Sequence, residues 1–525
     1  MKLKVKNALI SVYEKEGIID LVRGLSSLGV NILSTGGTSR LLSDKGIAVT
    51  NISEYTGFPE MLEGRVKTLH PKIHAGILAL RNKKSHLAVL KKFGIELIDM
   101  VVVNLYPFEK TASLEGIEFD EILEMIDIGG PTMVRAAAKN FRDVVIVVDP
   151  ADYQPIIHDL REQGDIQIEK RFELALKAFQ HTSHYDAAIY SYFSEIDHTG
   201  KPAQKKLFQD FPERLLLQFM KTQELRYGEN PHQRGAFYRE RIKNIASVAY
   251  SVQLQGKELS FNNIMDFDAS LSLVTEFTAP ACVIVKHTNP CGAATGQDLL
   301  TAYQSALETD PVSAFGSVIA FNRKLDRRTA EAIASTFIEG IIAPGFYPEA
   351  LKIFSSKKNL RVLQIGDLKN FRKIGFDLRR VNGGILVQDW DAMAENIKKA
   401  KVVTKRKPAP DEMEALAFAW KVVKHVKSNA IVFARKDRTV AVGAGQMSRV
   451  DSVRLCIQKA QVPVKGSVMA SDAFFPFRDG VDEAGRAGIT AVIQPGGSIR
   501  DEEVIKAADE KKIAMLFTGV RHFRH

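Results

Sequence analysis

Along the first 150 residues, short apolar runs alternate with amphipathic stretches. Residues 8–12, 31–33, 100–104 and 144–148 read as strands, and 18–28, 39–45 and 132–140 carry the three-to-four spacing of helices. Strand-helix alternation predicts a parallel sheet covered by helices on both faces, with ligands at the carboxyl ends of its strands. Residues 172–193 read as one helix, and 197–211, polar and broken by Gly200 and Pro202, read as a linking segment. The chain therefore divides into a first domain over 1–150 and a helical connector over 151–223. Alternation then resumes, with strands expected at 281–285, 317–321, 430–434, 440–442 and 490–493 and helices at 412–425, 452–459 and 502–511. An α/β protein with more than one core is the expectation.

Composition narrows the class. The 525 residues are 45% hydrophobic and 26% charged, with no low-complexity tract or repeat. No run approaches membrane-spanning length, and the charged start, Met1-Lys2-Leu3-Lys4, lacks the apolar core of a signal peptide, so a cytoplasmic protein without a membrane partner is expected. Three cysteines, Cys282, Cys291 and Cys456, make neither a disulfide framework nor a zinc spacing, and no transition metal is expected. The excess of 72 Lys+Arg over 62 Asp+Glu gives +10, spread along the chain. That distribution suits small anionic substrates and argues against a nucleic-acid partner, which a clustered basic face would mark. The densest basic stretch, 401–408, has no interleaved aromatics and reads as a solvated loop.

Two segments carry candidate chemistry. Ser34-Thr35-Gly36-Gly37-Thr38 stands between a strand and a helical pattern. Unpaired amides at such a helix start, with glycines admitting close approach, bind phosphate. Gly64-Arg65-Val66-Lys67-Thr68 adds two cations and a hydroxyl. Farther on, Lys286-His287-Thr288-Asn289-Pro290-Cys291-Gly292 puts a cation beside an imidazole where an apolar run ends. Adjacent strand residues face opposite ways, so the pair serves one substrate only if the backbone leaves extended geometry, and Asn-Pro-Cys-Gly is the expected turn.

Longer strings bring a resemblance. Phe58-Pro59-Glu60-Met61-Leu62-Glu63-Gly64-Arg65-Val66-Lys67-Thr68-Leu69-His70-Pro71, Asn104-Leu105-Tyr106-Pro107-Phe108, Asp127-Ile128-Gly129-Gly130-Pro131, Arg135-Ala136-Ala137-Ala138-Lys139-Asn140, Leu225-Arg226-Tyr227-Gly228-Glu229-Asn230-Pro231-His232-Gln233, Lys286-His287-Thr288-Asn289-Pro290 and Ser471-Asp472-Ala473-Phe474-Phe475-Pro476-Phe477-Arg478-Asp479 occur in this order. Together they resemble the bifunctional purine-biosynthesis family that joins phosphoribosylaminoimidazolecarboxamide formyltransferase to inosine monophosphate cyclohydrolase. The resemblance implies a methylglyoxal-synthase-like first domain and a C-terminal region of two cytidine-deaminase-like α/β subdomains, 224–400 and 401–525. It also implies 10-formyltetrahydrofolate as formyl donor and a homodimer with transformylase sites between subunits.

Matched position by position, the resemblance implies a cyclisation site with Lys67, Tyr106, Asp127 and Lys139 as catalytic side chains. Ser11, Lys15, Ser34, Gly36, Gly37, Thr38, Arg65, Thr68 and Asn104 would hold its nucleotide. Glu14-Lys15-Glu16-Gly17 departs from the family's usual Asp-Lys-Thr-Gly. For formyl transfer the match gives His287 as base and Lys286 as oxyanion partner. Arg226, Tyr227, Gly316, Glu339, Asn429, Arg449 and Arg521 fall on the nucleotide side, and Phe474 and Asp479 on the folate side. Glu339 stands where some members carry Asp. An imidazole titrating near neutrality suits removal of a proton from a weakly nucleophilic amine. Two rivals differ in kind. A zinc deaminase needs a Pro-Cys-x-x-Cys that Pro290-Cys291-Gly292-Ala293-Ala294 lacks, and a metalloprotease reading of His70 and His74 fails on Pro71 and the absent glutamate. A basic nucleic-acid-binding protein predicts a steep salt dependence.

Overall fold

The computed structural model describes residues 3–114, 116–201, 211, 213–240, 245–393 and 397–525. Two compact units divide at Leu217 and Gln218. In the first, five parallel strands lie in the order Thr50–Asn51, Asn31–Ser34, Asn7–Val12, Met100–Asn104, Val145–Val147. The strand earliest in sequence is thus central, and its two neighbours connect in opposite directions. That is the switch point at which open α/β sheets hold ligands. Ala8, Leu9, Ile10, Val101 and Val102 are wholly buried, as parallel strands covered on both faces must be.

The stretch expected as a connector does not stand apart. Helix Tyr153–Gln163 contributes Tyr153, Ile156, Ile157 and Leu160 to the first unit's core, and helix Ile168–Glu195 contributes Leu174, Ala175, Ala178 and Tyr185. Its apolar spacing is legible in sequence, but not which core it would join. The polar segment proposed as a link falls partly on 202–210, outside the described residues.

In the second unit two six-stranded sheets share one plan. The first runs Asn289–Thr295, Ala281–Lys286, Val318–Phe321, Gly340–Ala343, Arg361–Gln364, Val252–Gln255; the second runs Thr439–Gly443, Ile431–Ala434, Val468–Ser471, Ala491–Gln494, Ala514–Phe517, Lys401–Val402. Each has an antiparallel hairpin, two parallel pairings and an antiparallel edge. The hairpins meet where Thr295 N donates to Asp437 O at 2.8 Å and Ala293 N to Thr439 Oγ1 at 3.0 Å. Helices Phe261–Val274 and Pro410–Val423 share one core between the sheets, with Phe277 stacked on Phe418 at 5.1 Å. The basic stretch 401–408 is not a free loop. Lys401 and Val402 pair with the strand at Phe517 and Leu516, and buried Thr404 accepts from Met515 N at 2.8 Å. Edge pairing depends on a strand a hundred residues away, which local charge cannot report.

A fragment cut at residue 150 loses nine buried core side chains, including Ile166. At roughly 1.5–3 kcal/mol for each large apolar side chain the deficit approaches the whole stability of a domain. Residues 1–150 are therefore expected to give no cooperative thermal melt by circular dichroism, while 1–201 melts cooperatively.

Candidate functional site

At the switch point of the first unit lies a cavity of about 980 Å³. Ser11, Lys15, Gly37, Thr38, Arg65, Lys67, Thr68, Asn104, Tyr106 and Asp127 line it, joined by Tyr13, Glu63, Asp120, Glu124, Gly129 and Gly130. Helix Gly36–Asp44 begins at its wall without a side-chain cap, so its first amides are open to an anion. Helix Gly129–Lys139 begins at the same cavity. Gly36 has φ +54°, and Lys67 Nζ lies 3.6 Å from where a β-carbon would stand. At Gly130 a β-carbon would overlap the Asp127 carboxylate. Asn104 Oδ1 accepts from Tyr13 N and Glu14 N, at 2.5 and 3.0 Å, which ties the two strand ends together.

Lys67 Nζ lies 3.3 Å from Tyr106 Oη. Asp127 accepts from Gly130 N at 2.8 Å, yet burial pushes its carboxyl above the usual range against the pull of that amide and of Lys67. Lys15 donates to Val12 O and, at 2.9 Å, to Thr38 Oγ1; burial and then the Lys67 charge lower its pKa. Arg65 pairs with Glu124 in the open. Three expected residues lie off the lining: Gly36, at the start of the helix on its wall, Ser34 and Lys139. Ser34 buries its hydroxyl against Ile10 O, 2.7 Å away. Lys139 departs further: it is exposed at the last position of a helix whose first turn meets the cavity. At 1.5 Å per residue it lies about 9 Å along the axis past Met133, the last residue of that helix on the lining.

In the second unit Lys286 ends strand Ala281–Lys286, and His287 and Thr288 form the hairpin turn with φ of +53° and +62°. The departure from extended geometry therefore falls at His-Thr. Asn289-Pro290-Cys291-Gly292, the expected turn, lies instead in strand Asn289–Thr295, with a bulge between Pro290 and Gly292. A two-residue turn of this hand suits the twist of the strands, but left-handed backbone costs a non-glycine residue on the order of 1–3 kcal/mol. Asp266 compensates by accepting from Thr288 N at 2.6 Å, and burial holds its pKa up. Asn289 braces the turn from the other side, donating to His287 O at 3.2 Å and accepting from Lys427 N at 2.9 Å. Lys286 and His287 thereby both line a cavity of about 270 Å³ with Asn289, Cys291, Asp310, Ser313 and Lys459.

Around that turn the expected residues fall into two groups. Lys286 Nζ donates to Phe315 O at 2.7 Å, Gly316 N to Phe337 O at 2.9 Å, and Glu339 pairs with Arg361 at 2.7 Å. On the far side Arg449, buried at the start of helix Arg449–Lys459, is held by Asp472, by Ser471 Oγ at 2.7 Å and by Asn429 Oδ1 at 2.8 Å. The chain end joins this group, with His522 N donating to Asp472 O and Ser428 N to Arg524 O. It carries Arg521, whose guanidinium stands over Phe523. Phe474, partly exposed, follows Asp472 by two residues, and Asp479 opens helix Asp479–Ala487. Arg226 and Tyr227 lie between strands Met220–Leu225 and Gly235–Arg239, a hairpin anchored by Asn262 Nδ2 to Glu229 O at 3.3 Å.

Asp266 and Glu124 are parts of these arrangements that sequence reasoning missed, each acting from a distant segment with no local signal, and Asp472, though inside a matched string, was given no role. His70 caps helix Pro71–Leu78 through Nδ1, accepting from Lys72 N at 3.1 Å, which engages that imidazole in a structural bond.

Comparison with known proteins gives two family matches along the chain. Residues 137–459, more than half of the chain, match the family model described as the AICARFT/IMPCHase bienzyme, and residues 17–132 match that of the MGS-like domain. A solved structure titled "Crystal structure of ForH" is 37% identical, over 35% of this chain and 95% of that one, with a TM-score of 0.31.

The raised Asp127 carboxyl gives a pH test. An acid whose folded pKa is raised contributes stability below the unfolded value that is lost as pH rises through the folded value. Asp127→Asn removes that loss, so it should melt above the parent protein at pH 8. The gap should close as pH falls toward about 4, followed by calorimetry of the first unit's transition.

Proposed function

The chain belongs to the AICARFT/IMPCHase bienzyme family, and from that membership we infer which side chains carry each of its two reactions. The protein catalyses the last two steps of inosine monophosphate synthesis. A formyl group passes to the amine of aminoimidazolecarboxamide ribotide, and the product then closes its ring with loss of water.

For ring closure we read the larger cavity as the site. The open amides at Gly36 and Gly37, with Lys15, Thr38 and Arg65, receive the phosphate. The carboxamide nitrogen attacks the formyl carbon. Lys67 and Tyr106, 3.3 Å apart, supply and take the protons of the departing water, while Asp127 orients the amide. Lys139 stands at the opposite end of helix Gly129–Lys139 from the end that meets this cavity.

For formyl transfer one observation carries the reading: consecutive left-handed residues turn Lys286 and His287 into the same cavity. His287 accepts the amine proton as nitrogen attacks. Lys286 stabilises the oxyanion, and as the tetrahedral adduct collapses the folate nitrogen leaves with the proton that His287 took from the amine. We assign the Asn429, Arg449 and Arg521 group to the nucleotide and Phe474 and Asp479 to the folate. Donor and assembly, 10-formyltetrahydrofolate and a homodimer, rest on family membership.

His287→Ala should lower formyl transfer by about 100- to 10,000-fold in single-turnover kinetics while leaving cyclisation of supplied formylated nucleotide intact. Near-parental formyl transfer would remove His287 as base.

A further inference from the structure

We infer that Tyr185 is a positioning residue for ring closure, fixing the segment that aims the Asp127 carboxylate into the larger cavity; this rests on the role given to Asp127 above. Tyr185 sits in the middle of helix Ile168–Glu195 and is 8% exposed. Its hydroxyl accepts from Asp127 N at 2.8 Å and donates to Met125 O at 2.6 Å. One phenol therefore grips both ends of the turn joining helix Phe119–Glu124 to helix Gly129–Lys139. The remaining free end of Asp127, its carboxylate, is held by Gly130 N. With backbone and side chain each bonded, the oxygens have little freedom. Ile126, Asp127 and Ile128 of the same turn all line the cavity.

The phenol is suited to this and not to proton transfer. Burial pushes its pKa up to about 12, and it packs edge-on to Phe108 at 6.4 Å, away from the cavity lining. The groups facing Asp127 are Lys67 and Tyr106, with Asp120 and Glu124 from the preceding helix at the same cavity. None of them holds the Asp127 amide. Without the hydroxyl, Met125 O and Asp127 N must find water, and the turn opens toward solvent. A carboxylate displaced by an ångström costs up to about 100-fold in rate, and one better hydrated returns toward its ordinary pKa.

The test uses the full chain with Tyr185→Phe, Asp127→Asn and the double variant. Tyr185→Phe should lower kcat for ring closure by about 10- to 100-fold, with KM changed less than about twofold and formyl transfer unaltered. The limb of the pH-rate profile that Asp127→Asn abolishes should move to lower pH. The double variant should be no slower than Asp127→Asn alone. Parental kcat with an unmoved limb overturns the proposal, as does a lower melting temperature with kcat and limb unchanged. Loss of nucleotide affinity in Tyr185→Phe overturns it too, because the residue would then shape the cavity itself. Should Asp127→Asn keep parental cyclisation, the role of Asp127 fails first, whatever Tyr185→Phe does.

Discussion

Backbone polar groups that secondary structure cannot satisfy decide where this protein works. In the first unit the starts of helices Gly36–Asp44 and Gly129–Lys139 meet at the switch point of a parallel sheet, and their leading amides have no carbonyl four residues back. Burying such donors without partners is costly, so the chain either caps them or leaves them for a ligand. Here the second helix gives one amide to Asp127, and the first keeps its own open. Glycine at 130 is what lets Asp127 come so close to the backbone, and glycine at 36 supplies the positive φ with which the first helix begins.

The second unit meets the complementary problem. Its cation and imidazole are adjacent in sequence, and a regular strand would send them to opposite faces. A tight turn with positive φ at two non-glycine positions resolves this at a cost in strain. Asp266 and Asn289 offset that cost with hydrogen bonds to the turn. The two sheets repeat one plan and join through their hairpins, and beside the turn of the first Asn289 accepts from Lys427 N of the second. Two residues on from Lys427, Asn429 holds Arg449. The pairing of Arg449 with wholly buried Asp472 keeps a desolvated charge from standing alone.

The two cavities share no side chain. Each is lined by residues of its own compact unit, so on the proposed assignment the two reactions draw on separate side chains. Ring closure needs a phosphate cradle and proton donors about a rigid turn; formyl transfer needs a base and a cation presented together.

Much of this was legible from the chain itself. Strand-helix alternation gave the parallel sheet because burial on both faces leaves continuous apolar runs such as 100–104. The Gly36-Gly37 turn at a helix start and the Lys286-His287 pair at a strand end could be picked out because their residue types and flanks are local properties. What tertiary structure alone decided is long-range. Tyr185 holds Asp127 across 58 residues, and Asp266 holds Thr288 across 22. Helix Ile168–Glu195 joins a core that its own spacing could not identify. Lys139, in a string that reads as part of the site, is carried away by the length of its own helix. Periodicity reports which face of an element is buried; it does not report what lies against that face, because the partner is set by how the whole chain closes.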